Sequence, residues 1–480
     1  MTSDPLSLAP WVETMLGEPS RVRSEKAVHD PVLGTHVFQR HEISLLDTPL
    51  LQRLRYISQT GFVYLTFPGA RHSRFEHTLG ATVLVDRFIR ALNSRASRPE
   101  ITPQETAELR VAALLHDCGH AFFSHASELV YRYLPPMMEL KREPEFAAKG
   151  PGELLSYCIV VSQPFRAFFR RLCEKYDLNL DLNRIAGYIV GKPSNALRPF
   201  LAEMISGPFD VDKLDYIHRD AHATGLRLVV DLERFFYAID LDQTGRLAIR
   251  SPEPLEQLIF SKMMLFATVY HHHKVKACDC MLKGAVDWSQ ARGSAIAGQA
   301  LRAPADFLAV TDTGFLGERG NPLIRRLLDR DLLCRAAVIS PDTLEAESGT
   351  DPHTGLYKLN EVAKDPMACR LLNQDIYGAL PDRTRKSILP EEVWLDIPEK
   401  PRLEELALAK IIRQGTTLLA DRVFPTEGWL NAYGTFRARG HVFAPRSAAR
   451  DTFDAVQDVF RSRFGLRFRT DLVLALCHLD

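Results

Sequence analysis

The stretch Leu114-Leu-His-Asp-Cys-Gly-His-Ala-Phe-Phe-Ser-His125 is the part of the sequence that decides the fold. It gathers His116, Asp117, His120 and His125 around the end of a predicted helix. Polar groups in that density are costly to bury unless they share a partner such as a metal ion. An isolated histidine is more often a structural residue, but this grouping predicts a metal site.

Two predicted helices lead toward this stretch. Ser73-Arg-Phe-Glu76 has the spacing of a capping box, and the apolar residues at 79–92 repeat at helical intervals. Thr102-Pro-Gln-Glu105 is a second capping box, with proline at the first helical position. That helix is expected to end near Gly119, because glycine is a common C-terminal stop.

The rest of the chain changes character along its length. A third helix is predicted from about residue 208 to Gly225, a short hairpin around Gln243-Thr-Gly245, and a long fourth helix over residues 256–282. After about Gly293 the sequence turns strand-like and rich in Pro and Gly. We therefore predict a mainly α fold, in which a helical core precedes a smaller mixed α/β C-terminal lobe.

Composition excludes several classes of protein. The 480 residues carry 60 Lys and Arg against 60 Asp and Glu, so the chain has no overall charge to attract nucleic acid or a membrane surface. No apolar run is long enough to span a membrane, and the N-terminus lacks the pattern of a secretory signal. The 8 cysteines form no regular framework, which predicts free thiols and a cytoplasmic location.

Further candidate ligands occur on the other predicted helices. His77 lies in the first turn of the helix that Ser73 opens, and Asp212 lies in the third helix. With His116 and Asp117 they make a mixed nitrogen and oxygen set, which suits Fe, Mn, Ni or Zn, and Mg less well. We predict one divalent transition metal held by ligands from three helices.

Residues near these ligands are suited to a phosphorylated substrate. Asp212, Tyr216 and Asp220 are four residues apart and share a helix face, although a solvated charged face would have the same spacing. Arg74 and Lys213 are close to the ligands in sequence and could approach phosphate oxygens.

A second candidate face lies on the fourth helix, where Lys262, Phe266, Tyr270 and Lys274 recur at intervals of four. The run Tyr270-His-His-His-Lys274 is unusual, and its ordinary interpretation is a surface helix with basic ends.

Taken in order, three motifs resemble those of the HD-domain deoxynucleoside triphosphate (dNTP) triphosphohydrolases. They are Arg74-Phe-Glu-His77, the stretch from His116 to His125, and Asp210-Val-Asp-Lys-Leu-Asp-Tyr-Ile-His-Arg-Asp220. The upstream stretches Asp47-Thr-Pro-Leu-Leu-Gln-Arg-Leu-Arg55 and Phe67-Pro-Gly-Ala-Arg extend the resemblance, which covers roughly residues 26–274. We expect an N-terminal extension at 1–25 with no sterile-alpha-motif domain, an HD core at 26–292 and the C-terminal lobe at 293–480.

The resemblance implies hydrolysis of a dNTP to a deoxynucleoside and inorganic triphosphate. It implies metal ligation by His77, His116, Asp117 and Asp212, and a catalytic role for His125 at the scissile phosphoester. It implies that Arg74, Lys213 and Tyr216 contact the triphosphate, that Gln59 and Asp220 hold the sugar 3′-hydroxyl with Thr60 packed beside the sugar, and that Tyr270 or His271 approaches the base or the sugar. Lys262 on the fourth helix is a further candidate substrate contact.

Two positions depart from the family pattern. Glu128 stands where the family often has aspartate, and Gly152 stands where it has a histidine. The longer side chain of Glu128 could reach His120 and take over part of the proton handling, so His120 and Glu128 join His125 as candidate catalytic residues.

The resemblance also implies a regulatory nucleotide site in a homo-oligomer, either a dimer or a tetramer, with GTP or dGTP as the activator. The matching positions are Lys26, Asp47, Gln52, Arg55, Asp231 and Arg234. Two other functions stay open: an HD phosphohydrolase acting on another nucleotide or phosphodiester, and a nucleotide-binding regulator with impaired catalysis.

Overall fold

A computed structural model describes residues 4–95, 100–228, 230–346, 357–359, 361–362, 364–397, 406, 408–426, 428–429 and 439–479. The fold is mainly α-helical, with a mixed α/β portion toward the C-terminus, so the predicted fold class is confirmed. In the part of the chain that the structure describes, no helix combines the length and apolar character needed to cross a membrane.

The described helices follow one another closely. In chain order they are α1 (Ala9–Thr14), α2 (Arg40–Leu46), α3 (Pro49–Gln52), α4 (Arg74–Asn93), α5 (Pro103–Leu115), α6 (His125–Tyr131), α7 (Pro135–Leu140), α8 (Pro151–Val161), α9 (Gln163–Tyr176), α10 (Leu182–Ile189), α11 (Phe200–Ile205), α12 (Val211–Thr224), α13 (Leu232–Ala238), α14 (Glu253–Leu265), α15 (His273–Ala291), α16 (Pro304–Leu308), α17 (Asp312–Leu316), α18 (Pro322–Leu328), α19 (Pro366–Gly378), α20 (Asp382–Arg385), α21 (Ala449–Phe464) and α22 (Thr470–Cys477).

The strands are short and form small sheets. In chain order they are β1 (Lys26–Asp30), β2 (Gly34–Phe38), β3 (Ile239–Leu241), β4 (Leu247–Ile249), β5 (Cys334–Ile339), β6 (Leu344–Ala346), β7 (Trp394–Asp396), β8 (Lys410–Arg413), β9 (Thr416–Leu419), β10 (Gly440–Ala444) and β11 (Leu466–Phe468). Hydrogen bonding joins them in the orders β1-β2, β3-β4-β8-β9, β5-β10-β7 and β11-β6.

The chain folds into two compact units. The first comprises residues 1–265, 299–315 and 402–427, and the second comprises residues 266–298, 316–401 and 428–480. Segments 299–315 and 402–427, placed by the sequence in the C-terminal lobe, therefore belong to the first unit. In the second of these segments β8 pairs in parallel with β4, which attaches it to the predicted hairpin.

The first unit is built around α4, α5 and α12. Their buried apolar residues include Leu84, Phe88, Leu109, Leu115 and Leu214, which are fully shielded from solvent. Burial of such side chains supplies most of the stabilising free energy of a helical core.

The second unit packs α21 against the β5-β10-β7 sheet. Ala337 and Val442 from the sheet and Val456 and Phe460 from α21 belong to one buried apolar cluster. This unit therefore has a core of its own.

The predicted starts of α4 and α5 and the predicted end of α12 are confirmed, and capping residues mark all three. Ser73 and Thr102 form the two capping boxes of α4 and α5, and Gly225 ends α12 in the left-handed conformation at φ 74°. The helix predicted to end near Gly119 stops earlier, at Leu115.

The predicted long helix over residues 256–282 is wrong. A π-helical turn, Phe266–Tyr270, follows α14, and α15 begins only at His273. His272 caps the new helix, because its Nδ1 accepts a hydrogen bond from the N–H of Lys274 at 3.2 Å. Lys274 therefore lies on a different helix from Lys262, and the predicted continuous face of four residues does not exist.

Candidate metal centre and active site

Four predicted metal ligands come from helix ends in the first unit. The first turn of α4 carries His77, the end of α5 leads into His116 and Asp117, and the first turn of α12 carries Asp212. Asp210 sets that last position, since its side chain caps α12 by accepting from the N–H of Lys213 at 2.8 Å.

The ligand atoms converge on one point. Nε2 of His77 lies 3.3 Å from Nε2 of His116 and 3.1 Å from Oδ1 of Asp212. Asp117 approaches both histidines, with Oδ2 at 3.4 Å from His77 and Oδ1 at 3.5 Å from His116. Two imidazoles and two carboxylates so close together match the donor set of a divalent transition metal.

Outer hydrogen bonds turn both imidazoles toward that point. Nδ1 of His77 lies 2.8 Å from Oδ2 of Asp215, and Nδ1 of His116 lies 2.7 Å from the carbonyl oxygen of Ala113. Because each Nδ1 has an acceptor, each Nε2 is left to face the centre. A histidine that binds a metal usually has this kind of outer partner.

Asp215 is a ligand-orienting residue that sequence reasoning missed. It is fully buried, and Arg219 donates two hydrogen bonds to it, both at 2.8 Å. The glycine at position 80 on α4 makes room for it, because a Cβ there would lie 1.9 Å from Oδ1 of Asp215. The spacing of Asp215 and Arg219 at i and i+4 on α12 was the available signal.

The charges of the centre depend on one another. Burial lowers the pKa of His77, but hydrogen bonds to Asp212 and Asp215 outweigh burial and raise it to about 10. Burial raises the pKa of Asp117, but Arg74 and the neighbouring histidines hold it well below its usual range. Carboxylates in this number around one imidazole make the centre favourable for a positive charge.

A second group of side chains adjoins the ligands. Glu128 on α6 lies between two histidines, with Oε1 3.1 Å from Nδ1 of His120 and Oε2 3.1 Å from Nδ1 of His125. Nε2 of His120 in turn lies 3.2 Å from Oδ1 of Asp117. Nδ1 of His120 and Oε1 of Glu128 are thus within ion-pair distance, although neither atom has a hydrogen-bond partner among the described residues.

The space beside Gly152, where the resemblance predicts a histidine, is filled by His120. A Cβ at Gly152 would lie 2.5 Å from Cε1 and 2.7 Å from both nitrogens of the His120 ring. The imidazole of His120 therefore occupies the space that a side chain at position 152 would need.

Arg74 connects the two groups. It is buried, and its Nη1 donates to Oδ2 of Asp117 at 2.7 Å while its Nε donates to Oγ of Ser124 at 2.9 Å. Its Nη2 lies 3.3 Å from Nε2 of the exposed His125. A fixed guanidinium at this point can stabilise negative charge on a phosphate.

The other predicted substrate contacts are distributed around the first unit. Oε1 of buried Gln59 and Oγ1 of Thr60 have no hydrogen-bond partner among the described residues. Asp220 is 2.7 Å from Nε2 of His72, and Tyr216 is partly buried on the same helix. Lys213 points its ammonium group at Asp210 and the carbonyl of Gly207, at 2.7 and 2.9 Å.

The remaining predicted residues are divided between the two units. Lys262 is buried on α14, whereas Tyr270 and His271 belong to the second unit. Phe266 contacts both, with ring centroids 5.1 Å from Tyr270 and 5.5 Å from His271.

The candidate regulatory residues form local pairs. Lys26 and Asp47 are 4.0 Å apart and exposed, and Nε of Arg55 donates to Oε1 of Gln52 at 2.8 Å. Asp231 caps α13 by accepting from the N–H of Arg234 at 3.0 Å.

A helical core that gathers two histidines and two aspartates from helix ends is the arrangement of an HD domain. A profile of the HD domain matches residues 74–149, and one of the HD-associated region matches residues 230–470. The chain belongs to the family of proteins that join an HD domain to an HD-associated region.

Similar proteins agree with this assignment. The chain is 33% identical over 233 residues to deoxynucleoside triphosphate triphosphohydrolase SAMHD1 of Mus musculus, covering 45% of this chain and 34% of that protein. It is 28% identical over 283 residues to SAMHD1 of Homo sapiens, covering 55% of this chain and 44% of that protein. The chain thus spans less than half the length of these two relatives.

A solved structure shares the fold. A phosphohydrolase of Bacteroides thetaiotaomicron superposes with a TM-score of 0.63 at 20% identity, covering 88% of this chain and 100% of that one.

Proposed function

We propose that this protein is a metal-dependent hydrolase that cleaves a dNTP into a deoxynucleoside and inorganic triphosphate. The observation that carries the proposal is the convergence of His77, His116, Asp117 and Asp212 beside Arg74 and His125. The relatives named dNTP triphosphohydrolases support the choice of substrate.

The four ligands would hold one divalent metal, with Fe, Mn, Ni or Zn preferred over Mg for this donor set. The fit rests on the orientation of the rings, because Asp215 and Ala113 leave Nε2 of His77 and of His116 facing the shared point. When bound, the metal supplies a Lewis acid that activates water and neutralises phosphate charge.

Arg74 and His125 would act on the scissile phosphoester. The guanidinium of Arg74 stabilises charge on the α-phosphate oxygens, and its fixed position means that little reorganisation is needed. His125 protonates the departing 5′-oxygen. Glu128 orients His125 and links it to His120, which serves in place of a histidine at position 152.

Polar groups for the sugar lie on the same unit. The unpartnered oxygens of Gln59 and Thr60 offer acceptors to a sugar hydroxyl, and Asp220 is fixed by His72. Tyr216 would contact the triphosphate together with Arg74 and Lys213, and a tyrosine packed beneath C2′ of the sugar would exclude a 2′-hydroxyl. A site built in this way discriminates against ribonucleotides because an added hydroxyl would clash or be left unpaired.

A product assay tests the proposal. The metal-loaded protein is incubated with each dNTP and NTP, and all products are separated by chromatography. We expect deoxynucleoside and triphosphate from dNTPs and little turnover of NTPs, with none from Asp212→Ala. Release of monophosphate or orthophosphate would favour an HD phosphohydrolase with a different substrate, and binding without any product would favour an impaired regulator.

We further propose that GTP or dGTP activates a homo-oligomer, either a dimer or a tetramer, through Lys26, Asp47, Gln52 and Arg55. Asp47 could accept from a guanine N1–H, and Arg55 could donate to O6. Both side chains are exposed, although Arg55 also stacks on Phe75 at 3.7 Å.

Sedimentation and dNTP hydrolysis, with and without GTP, test this proposal on wild type and Asp47→Ala. A nucleotide bound between subunits should favour the larger assembly and raise activity together. If neither the assembly state nor the rate of hydrolysis of the wild type changes with GTP or dGTP, these four residues have a structural role only.

The eight cysteines are free thiols, which supports a cytoplasmic location as part of the proposal.

A further inference from the structure

Two loops beside the candidate active site converge on one buried carboxylate, that of Asp312 at the start of α17. Its Oδ2 accepts from the backbone N–H of Ser58 at 2.8 Å, and its Oδ1 accepts from that of Phe123 at 2.6 Å. The residue is only 7% exposed. One side chain therefore ties the loop before Gln59 to the loop before His125.

The second of these loops is strained. Phe123 and Ser124 both have φ of 52°, a left-handed region that residues other than glycine rarely adopt. Such a conformation persists only where the surrounding structure holds it. Ser124 is the N-cap position of α6, so this turn sets the direction from which His125 emerges.

Ser124 supplies a second connection between the same two loops. Its hydroxyl donates to the carbonyl oxygen of Ser58 at 2.5 Å and accepts from Nε of Arg74 at 2.9 Å. Asp312 and Ser124 thus make two separate connections to the turn, whereas Arg74 is also held by Asp117, which lies outside it.

Aromatic packing fixes the position of Asp312 itself. Phe315, one turn along α17, stacks on Phe122 with ring centroids 5.1 Å apart and meets the edge of Phe123 at 5.7 Å. Phe307 also stacks on Phe122, with ring centroids 5.9 Å apart. Aromatic contacts of this kind favour particular ring orientations, so they fix the position of α17 relative to the turn.

We propose that Asp312 is a positioning residue. By holding the strained turn at Phe123 and Ser124, it places His125 for proton transfer. The inference rests on the proposed hydrolysis and extends it to a residue far along the chain. In the reaction, water adds its oxygen to the α-phosphorus and releases one proton to solvent. The P–O5′ bond breaks with its electron pair on O5′, and O5′ takes a proton from the His125 imidazolium, which later regains one from solvent.

Substrates with different leaving groups test the role. A deoxynucleoside needs an acid to leave, whereas 4-nitrophenolate does not. Asp312→Asn should lower kcat on a dNTP about 10- to 100-fold, within the range for general acid catalysis, and change turnover of bis(4-nitrophenyl) phosphate less than about threefold. The same split is expected for His125→Gln, and the double variant should lose no more than His125→Gln alone.

The matched control is Asp306→Asn. Asp306 lies in the same segment and also accepts backbone hydrogen bonds, from Arg302 at 2.8 Å and Ala303 at 3.1 Å, but not from either loop. This substitution should leave the turnover of both substrates unchanged. Hydrogen exchange at the Phe123 amide supplies a readout apart from activity, and it should become faster in Asp312→Asn only.

Equal losses on both substrates, additive losses in the double variant, or unchanged exchange at Phe123 would overturn the role of Asp312. If Asp312→Asn does not fold, Asp312→Glu retains the charge, misplaces it by one methylene and is judged by the same measurements. A wild type that cleaves no dNTP would refute the proposed function alone. The leaving-group comparison would then use bis(4-nitrophenyl) phosphate against diphenyl phosphate, with the exchange measurement unchanged.

Discussion

Each unit of the chain contains a group of buried or half-buried histidines, and the two groups have opposite electrostatics. In the first unit, carboxylates outweigh burial and raise the pKa values of His77 and His120. In the second, burial is the largest effect and lowers the pKa values of His271 and His441 to about 4. Histidines surrounded by carboxylates attract a cation, whereas buried histidines near cationic side chains stay neutral and structural.

The comparison shows that histidine density alone does not identify a functional site. The sequence has three histidines around the end of α5 and three more in Tyr270-His-His-His-Lys274. The difference lies in which acids the fold brings to each group. Asp212 and Asp215 face His77, whereas the second group has Asp396 opposed by Arg335 and Lys276.

The largest expected effect is the loss of the metal from the first group. Asp212→Ala or His116→Ala should lower activity by at least about 10³-fold, more than the roughly 10- to 100-fold cost of losing an outer partner. Elemental analysis of the purified protein measures the metal directly. His441→Gln in the second group is the control and should retain it, and wild-type metal content in both ligand variants would contradict the site.

Local patterns predicted the ligand-bearing elements well. The capping box at Ser73 opens the helix end that carries His77, Thr102 opens the helix whose far end leads into His116, and Gly225 closes the helix whose first turn carries Asp212. These signals act within a few residues, so a single sequence displays them. The mainly α fold follows from the same signals.

Long-range contacts and irregular helical turns could not be predicted from the sequence. Asp312 meets Ser58 across 254 residues, and no spacing rule connects two such positions. The break before His273 was missed because a π-helical turn keeps the apolar pattern of a helix while shifting its register. Charge balance around a histidine depends on such distant partners, so sequence alone could not separate the two groups.

The next effect concerns the carboxylate that joins two histidines of the first unit. Glu128→Gln should lower turnover about 10²-fold with metal content unchanged, because an amide orients His120 and His125 less well than a carboxylate. Steady-state kinetics with elemental analysis checks both parts. The control is Glu139→Gln, an exposed acid that pairs with Arg142. Turnover within a few-fold of wild type would show that Glu128 is structural.

A smaller effect is expected from filling the space beside His120. Gly152→Ala should lower turnover about 10- to 50-fold, because the added Cβ would displace the imidazole from its place between Asp117 and Glu128. Gly378→Ala, where a Cβ meets nothing within 4 Å, is the control. Gly152→His should not raise activity. A gain from either substitution at Gly152 would mean that His120 does not need its present position.

The smallest expected effect is a pH dependence of stability that arises from His441 in the second group of histidines. His441 is 4% exposed and lies opposite Asp396 on β7, with Arg335, Lys276 and Arg439 also near it. Burial lowers its folded pKa from 6.5 to about 4, so between those values the unfolded chain binds more protons than the folded one. The stability that neutral His441 contributes is fully present above pH 6.5 and is lost as the pH falls toward 4.

Between pH 7 and pH 5 this loss should be about 1–2 kcal/mol of the free energy of unfolding of the second unit. His441→Gln removes the titrating group, so its stability should change less over the same interval than that of wild type. Denaturant unfolding followed through the fluorescence of Trp288 and Trp394, both in the second unit, measures the difference. His478→Gln, at an exposed histidine, should behave as wild type. Equal acid sensitivity in wild type and His441→Gln would mean that this histidine does not hold the neutral, structural role that distinguishes it from His77.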